Sequence, residues 1–141
     1  MKKVLFIFTL LLYLVMSFSP CFAETKDSIE TELEKCLSKA ISNADMRTCT
    51  YNAMNSRFNE IDKYLGLIRK VLAGNAEKLK TFEISQSKWG EYQKAEFEVI
   101  NALIHNKGGT IYTVMAVGDK YALVKKRADN LKYYYDIITR Q

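Results

Sequence analysis

The sequence predicts an all-α protein of about four helices. In the 141-residue chain the single proline is Pro20, and from residue 28 onward apolar residues recur every three or four positions, which is the helical period. Typical helix boundaries interrupt this pattern at Ser42, Gly74-Asn75 and Gly108-Gly109. A composition of 48% hydrophobic and 26% charged residues fits one small globular domain. We therefore expect antiparallel helical hairpins that form a small bundle.

Residues 1–23 have the features of a secretory signal peptide. Lys2 and Lys3 precede an apolar run over residues 4–18, Pro20 ends this run, and Ala23 fits a cleavage site. A membrane-spanning helix needs about 20 apolar residues, so the run is short for a permanent anchor. We expect cleavage after Ala23, a mature single domain of residues 24–141, and a periplasmic or secreted location.

The mature domain is only weakly basic. Cleavage removes Lys2 and Lys3, so the formal net charge falls from +5 to +3, and the remaining charges are spread over all segments. Nucleic-acid-binding proteins usually concentrate positive charge on one face or arm. We therefore expect no nucleic-acid partner, and no transmembrane segment after signal cleavage.

The first mature helix is predicted over residues 28–41 and carries Cys36. Ser42 followed by Asp45 is a capping-box pattern that starts the second helix, with Cys49 in its first turns. Because cleavage removes Cys21, two cysteines remain in an exported chain, and we expect them to form one disulfide that holds the short helix on the long one. The apolar side of the first helix contains Ile29, Leu33, Leu37 and Ala40.

Two other roles for the cysteines fit the sequence less well. Lipidation of Cys21 would tether the protein to a membrane, but Pro20 stands where such a site requires a small residue. A metal site could add only His105 to the two mature cysteines, and the paired C-x-x-C spacing is missing. We expect neither a metal nor a cofactor.

The second helix carries the clearest apolar stripe. Its members are spaced alternately three and four residues apart, so they form one continuous line, which we expect to be core. Gly74 is predicted to stop the helix and Asn75 to cap the next one. The stripe consists of Tyr51, Met54, Phe58, Ile61, Leu65, Ile68 and Leu72.

The third helix is predicted from about Ala76 to Ile104, with Trp89 and Tyr92 as core anchors. Its inner side is expected to contain Leu79, Phe82, Trp89, Gln93, Ala95, Val99, Ala102 and Leu103.

Gly108-Gly109 ends the pattern of the third helix, and Thr110 is predicted to cap the last one. Lys125 falls within the apolar stripe of this last helix, so its side chain would have to extend to solvent. The stripe contains Ile111, Val114, Gly118, Tyr121, Lys125, Ala128, Leu131, Tyr135 and Ile138.

The sequence lacks the usual motifs of an enzyme. It has one histidine, no Gly-rich phosphate loop, no H-E-x-x-H and no G-x-S-x-G. Glu91, Glu96 and Glu98 could supply a glycosidase pair, but carboxylates on a solvated helix face are much more common. We therefore expect a non-enzymatic protein.

Two polar segments could bind a partner. The first is the connection His105, Asn106, Lys107, Gly108 and Gly109, because exposed and conformationally permissive loops often carry binding residues. The second is the C-terminal cluster, where cations mixed with aromatics could contact an anionic surface, although a solvated helix face explains it as well. This cluster contains Lys125-Lys126-Arg127, Lys132, Tyr133-Tyr134-Tyr135 and Arg140.

Several motifs together resemble the small secreted bacterial proteins of the lysozyme inhibitor LprI type. They are the two early cysteines, the run of residues 86–96 that contains Trp89 and Tyr92, the Gly108-Gly109 break, and Arg127 with Leu131. The resemblance covers about residues 36–131. Family members often have an arginine where this chain has Gln93, and many have a second cysteine pair at the positions of Phe97 and Asp119. The joint absence of that pair corresponds to the loss of one whole disulfide.

The resemblance implies binding and inhibition of lysozyme or a related peptidoglycan hydrolase. A net charge of +3 gives no long-range attraction to a basic lysozyme, so inhibition would depend on local fit. The segment from His105 to Gly109 could enter the cleft and offer donors to the two catalytic carboxylates. The alternatives are an immunity or accessory protein that binds another envelope partner, and a structural envelope component.

Overall fold

A computed structural model describes residues 27–140, and these form four α-helices with no strand among them. A short 3-10 turn, His105–Lys107, precedes the last helix. No helix in this part of the chain is long and apolar enough to cross a membrane. The predicted signal peptide and Cys21 lie outside the described residues. The helices are α1 (Ser28–Leu37), α2 (Asn43–Leu72), α3 (Ala76–Leu103) and α4 (Thr110–Thr139).

The predicted start signals of α2 and α3 are confirmed. The Ser42 hydroxyl accepts from the Asp45 amide at 3.1 Å and donates to the Asp45 carboxylate at 2.8 Å. The hydrogen bonds that the Asp45 carboxylate accepts, first from the Ser42 hydroxyl and then from the Ile41 amide, lower the pKa of Asp45. Asn75 caps α3 by accepting from the Lys78 amide at 3.0 Å. Both helices therefore begin where a short polar side chain satisfies a free amide.

Two predicted boundaries are wrong. The first helix ends at Leu37 rather than at residue 41, because Lys39 and Ala40 close tight turns onto the carbonyls of Cys36 and Leu37. Ile41 consequently lies in the connection and is 97% exposed.

Thr110 does not cap α4. Gly109 takes the cap position, where it provides no side-chain acceptor, and Thr110 is the first helical residue. The Thr110 hydroxyl instead accepts from the Asn43 amide group at 2.8 Å, which ties the start of α4 to the start of α2.

The core lies between α2 and α4, which run parallel to each other. Their starts meet at Asn43 and Thr110, and further along the rings of Tyr64 and Tyr135 are 5.9 Å apart. α3, which follows α2 and precedes α4 in the chain, runs in the opposite direction to both. Each pair of consecutive helices therefore forms the predicted antiparallel hairpin. The core cluster contains Ala53, Met54, Ile61, Leu65, Ile68, Tyr121, Val124, Ala128 and Leu131.

The predicted stripe of α2 is correct except at its first member, and that of α4 is correct in its centre and wrong at both ends. Tyr51, Ile111 and Ile138 are 50%, 49% and 38% exposed. A stripe that repeats every 3.5 residues drifts by about 20° per heptad around a 3.6-residue helix, so its terminal members leave the core face. On α4, Val117 and Val124, which lie outside the predicted stripe, are buried.

α1 lies antiparallel on α2, where Ile29 and Leu33 pack against the core. The predicted disulfide between Cys36 and Cys49 is present, with the two Cα atoms 5.7 Å apart. No residue of α1 is itself buried, so packing alone holds α1 on α2 only weakly. The disulfide adds a covalent link between the two helices.

α3 contributes no buried residue and contacts the core through Phe82, Trp89 and Phe97. The expectation that Trp89 packs on the core is thus confirmed, whereas Tyr92 is 50% exposed and is not a core anchor. Four other predicted inner residues face solvent, because they lie on a second apolar face turned away from α2 and α4. These are Ala95, Val99, Ala102 and Leu103.

Candidate partner-binding site

The connection between α3 and α4 forms an exposed tip at one end of the bundle. The tip comprises His105, Asn106, Lys107, Gly108 and Gly109, and all five residues are exposed. The Lys107 amide donates to the Ile104 carbonyl at 3.1 Å, which closes the 3-10 turn. The structure thus keeps the predicted segment together as one short, solvent-facing loop, which we call the α3–α4 tip.

The two glycines determine the path of the α3–α4 tip. Gly108 has φ 79° and ψ 141°, and Gly109 has φ 92° and ψ 139°. Side-chain-bearing residues adopt such positive φ values only with strain, so glycine is required at both positions. The chain therefore turns within two residues from the end of the 3-10 turn into α4.

Three positively polarised groups lie near this turn. The Lys107 ammonium group lies 5.6 Å from the ring centroid of Tyr112, beside the first turn of α4. No side chain caps the amides at the N-terminus of α4, where the helix dipole places partial positive charge. The His105 imidazole is exposed one turn earlier. Together these groups favour an acceptor of negative charge, such as a carboxylate.

Apolar side chains flank the tip on both helices. Leu103, on the last turn of α3, is 64% exposed, and Ile111, on the first turn of α4, is 49% exposed. Met115 follows one turn after Ile111 and is 50% exposed. A polar tip with apolar shoulders has the mixed character of protein-binding surfaces.

A second polar centre, which sequence analysis missed, lies at the junction of α1, α2 and α4. Arg57 is 1% exposed and donates to Glu60 at 2.7 Å, to Glu30 at 2.9 Å and to Asp27. The Tyr121 hydroxyl donates to the same oxygen of Glu30 that Arg57 contacts. Arg57 follows Met54 by three residues and precedes Ile61 by four, so its place on an apolar stripe was a readable signal.

The pKa values in this centre follow from its geometry. Burial acts to raise the pKa of Asp27, but the hydrogen bonds from Arg57 and the Ile29 amide outweigh it, and the net pKa is lowered. Burial, together with the hydrogen bond to Glu30, raises the pKa of Tyr121 to about 12. The Arg57 guanidinium loses solvation but gains three carboxylates, and its pKa is raised. This centre is a closed ion network that joins three helices.

A second buried arginine has a different environment. Arg127 is 7% exposed, donates to the Gln86 amide oxygen at 2.5 Å and lies 5.5 Å from the ring centroid of Trp89. No carboxylate lies within ion-pair distance of it among residues 27–140. Burial therefore lowers the pKa of Arg127. This contact joins α3 to α4 through an amide and an aromatic ring.

The predicted C-terminal cluster does not form one surface. Arg127 is buried, Tyr135 packs against the core, and Lys125 lies 3.0 Å from Asp129. The members that remain exposed on α4 include Lys126, Lys132, Tyr133, Tyr134 and Arg140. Within residues 27–140 no group of histidine, cysteine and acidic side chains is arranged to hold a metal ion.

The comparisons with known proteins give one match. The model of the family described as lysozyme inhibitor LprI matches residues 21–131. The chain belongs to the LprI family. Comparisons with curated proteins and with solved structures find no match. The matched range ends at Leu131, the last residue of the core cluster, so it includes α1 to α3, the α3–α4 tip and the part of α4 that packs on α2.

Membership of the LprI family accords with the resemblance found in the sequence. The motifs that carried the resemblance lie inside the matched range, and the structure gives them separate tasks. In this LprI protein the disulfide fastens α1, Trp89 with Arg127 fastens α3 to α4, and Gly108-Gly109 shapes the exposed tip. Of these motifs, the tip is fully exposed, and Tyr92 in the run of residues 86–96 is 50% exposed.

Proposed function

We propose that the protein is a non-enzymatic inhibitor of lysozyme or a related peptidoglycan hydrolase, acting in the periplasm or outside the cell. The family match carries this proposal, because the family is described by lysozyme inhibition. The disulfide supports an oxidising compartment, where such bonds persist.

We propose that the α3–α4 tip is the inhibitory element. Glycoside hydrolases of this type have a pair of catalytic carboxylates that flank the scissile bond. A hydrogen-bond donor of an inhibitor can bind these carboxylates in competition with the substrate. His105, Lys107 and the N-terminus of α4 offer such donors on a narrow tip. Leu103 and Ile111 would then pack against the walls of the cleft. Since the net charge gives no steering, affinity would come from this local fit.

Inhibition and binding by the purified protein provide the test. Lysozyme activity on a suspension of bacterial cell walls, followed as loss of turbidity, should fall as the protein is added. The His105→Ala/Lys107→Ala variant should keep its helical content and bind the enzyme roughly 5- to 150-fold more weakly, equivalent to about 1–3 kcal/mol. Isothermal titration calorimetry measures this difference.

A matched control is Lys80→Ala, because Lys80 is exposed in the first turns of α3, at the far end from the tip. It should bind like the unmodified protein. Unchanged affinity of the double variant would remove the tip from consideration and direct attention to the exposed Lys126, Tyr133 and Arg140 on α4. Absence of binding to any lysozyme, combined with capture of another envelope protein, would favour an immunity or accessory role.

A further inference from the structure

The segment from Leu103 to Met115, which contains the α3–α4 tip, has no buried side chain. None of its apolar residues packs against the core cluster. Gly108 and Gly109 have positive φ, and a Cβ atom added at Gly108 would meet no neighbour within 4 Å. Packing therefore does not fix this segment, and its orientation on the bundle depends on the few polar contacts that it makes.

One hydrogen bond joins this segment to the other half of the molecule. The side-chain amide of Asn43 donates to the Thr110 hydroxyl at 2.8 Å. Among the hydrogen bonds found within residues 27–140, no other links the segment to α1 or α2. The Lys107 ammonium group contacts the ring of Tyr112, but both residues belong to the segment itself. The bond from Asn43 is therefore the contact that can orient the tip relative to α2.

Both partners of this bond lie on the core faces of their helices. Seven residues make almost two full turns, so residues at this spacing lie on the same side of a helix. Thr50 follows Asn43 by seven residues, Val117 follows Thr110 by seven, and both Thr50 and Val117 are buried. The bond is thus the polar end of the interface between α2 and α4, and the packing of that interface sets the distance between its two side chains.

The position of Asn43 is itself well fixed. The preceding residue, Ser42, caps α2 by accepting from the Asp45 amide at 3.1 Å, and the Ile41 amide donates to the Asp45 carboxylate at 3.2 Å. Cys49, in the second turn of α2, is 5% exposed and forms the disulfide with α1. Asn43 therefore belongs to a helix start that is held by a cap, a disulfide and the core.

We propose that Asn43 is a positioning residue for the α3–α4 tip. Through Thr110 it holds the first turn of α4, and with it the tip, in one orientation on the bundle. Without the bond the tip would occupy this orientation for only part of the time, and the apparent dissociation constant for a partner rises as the inverse of that fraction. The effect on binding rests on the proposed function, whereas the effect on the tip does not.

The kinetics of binding distinguish positioning from direct contact. When a protein must adopt its binding conformation before the encounter, a smaller competent fraction lowers the association rate and leaves the dissociation rate unchanged. Loss of a direct contact mainly raises the dissociation rate. A change confined to the association rate would therefore show that Asn43 acts on the tip and not on the partner.

Variants of the two partners test the proposal from both sides of the bond. Asn43→Ala removes the donor, and Thr110→Val removes the acceptor with little change in side-chain volume. Thr110→Ser keeps a hydroxyl and should behave like the unmodified protein. The combined Asn43→Ala/Thr110→Val variant should be no worse than either single variant, because both remove the same bond.

NMR spectroscopy measures the tip without any hydrolase. The Tyr112 amide donates to the Gly109 carbonyl at 3.2 Å, and it should exchange with solvent about 2- to 10-fold faster in Asn43→Ala and Thr110→Val. The backbone order parameters of Gly108 and Gly109 should fall in the same variants. With the hydrolase, surface plasmon resonance should show an association rate lower by about 2- to 10-fold and an unchanged dissociation rate.

Thr81→Val is the matched control, because Thr81 is exposed on α3 and its hydroxyl donates to the Glu77 carbonyl of the same helix at 3.0 Å. This variant should change neither the tip nor binding.

Unchanged amide exchange and order parameters in Thr110→Val would overturn the proposal, whether or not any hydrolase binds. A raised dissociation rate with an unchanged association rate would also overturn it, because the bonded pair would then contact the hydrolase directly. A loosened tip in a protein that binds no hydrolase would support the positioning by Asn43 and reject the proposed function. A loosened tip with unchanged hydrolase binding would support it as well and exclude the tip as the inhibitory element.

Discussion

Replacement of Arg57 by methionine should reveal how much of the fold depends on the ion network. The side chain is 1% exposed, and its three acidic partners, Asp27, Glu30 and Glu60, are 34%, 30% and 23% exposed. Removing one member of a buried ion pair costs about 3–5 kcal/mol, because the remaining charge is left without compensation. The partial exposure of the acids favours the lower half of this range. Even so, the loss is a large fraction of the 5–15 kcal/mol typical of a small domain.

The loss should depend on pH in a defined direction. The pKa of Asp27 is lowered in the folded protein, so its stabilising effect is present at neutral pH and is lost as the pH falls through that lowered pKa. In Arg57→Met the same carboxyl has lost its cation and gains from protonation. The difference in free energy of unfolding between the two proteins should therefore shrink below about pH 4.

Urea unfolding followed by circular dichroism at pH 7 and at pH 3 measures both effects. Lys125→Met is the matched control, because Lys125 lies 4.0 Å from Glu30 but is 34% exposed, and its loss should change stability by less than about 1 kcal/mol. An equal loss in the two variants, or a loss for Arg57→Met that is the same at both pH values, would refute the reasoning.

Three further predictions concern the tip, the disulfide and the second buried arginine. Gly108→Ala should lower stability by about 1–3 kcal/mol through its positive φ alone, whereas Gly74→Ala, which has equal space and ordinary φ, should be neutral or stabilising in the same urea titration. Replacing Cys36 and Cys49 by serine should cost about 3 kcal/mol by thermal unfolding, and intact protein mass without reductant should show two hydrogens fewer than the thiol form. Arg127→Met should change the melting temperature little, because it removes a desolvated charge that has no carboxylate partner; a loss as large as that of Arg57→Met would contradict this.

The sequence predicted the number and order of the helices, because these depend on local signals, although the end of α1 and the cap of α4 were wrong. The caps at Ser42 and Asn75 and the break at Gly108-Gly109 mark boundaries within a few residues of chain. The parallel pairing of α2 with α4 was not readable, since it depends on how far α3 returns the chain. The apolar positions of α3 were predicted only in part, because Phe82 and Tyr92 both fit a helical period although only Phe82 packs against the core.

The candidate site divides in the same way. The exposure of the tip from His105 to Gly109 was predictable, because polar residues and paired glycines mark a surface turn. The position of the Lys107 ammonium group was not predictable, because a lysine side chain has several rotamers and this one is placed by its contact with the Tyr112 ring. The burial of Arg57 could be read from its place on the apolar stripe of α2, but its partner Asp27 could not, since the two are 30 residues apart in sequence.

The parallel arrangement of α2 and α4 has a consequence for the biogenesis of the chain. The residues that close the core against Ile61 and Ile68 are Tyr121, Val124 and Leu131, which are synthesised after α1, α2 and α3. Until they are available, the apolar side of α2 can be covered only by α1 and by the few apolar side chains of α3 that reach the core. Such long-range closure slows folding and leaves nascent chains prone to aggregation. A chain truncated before Leu131 should therefore require a chaperone or be degraded, however well its first three helices form.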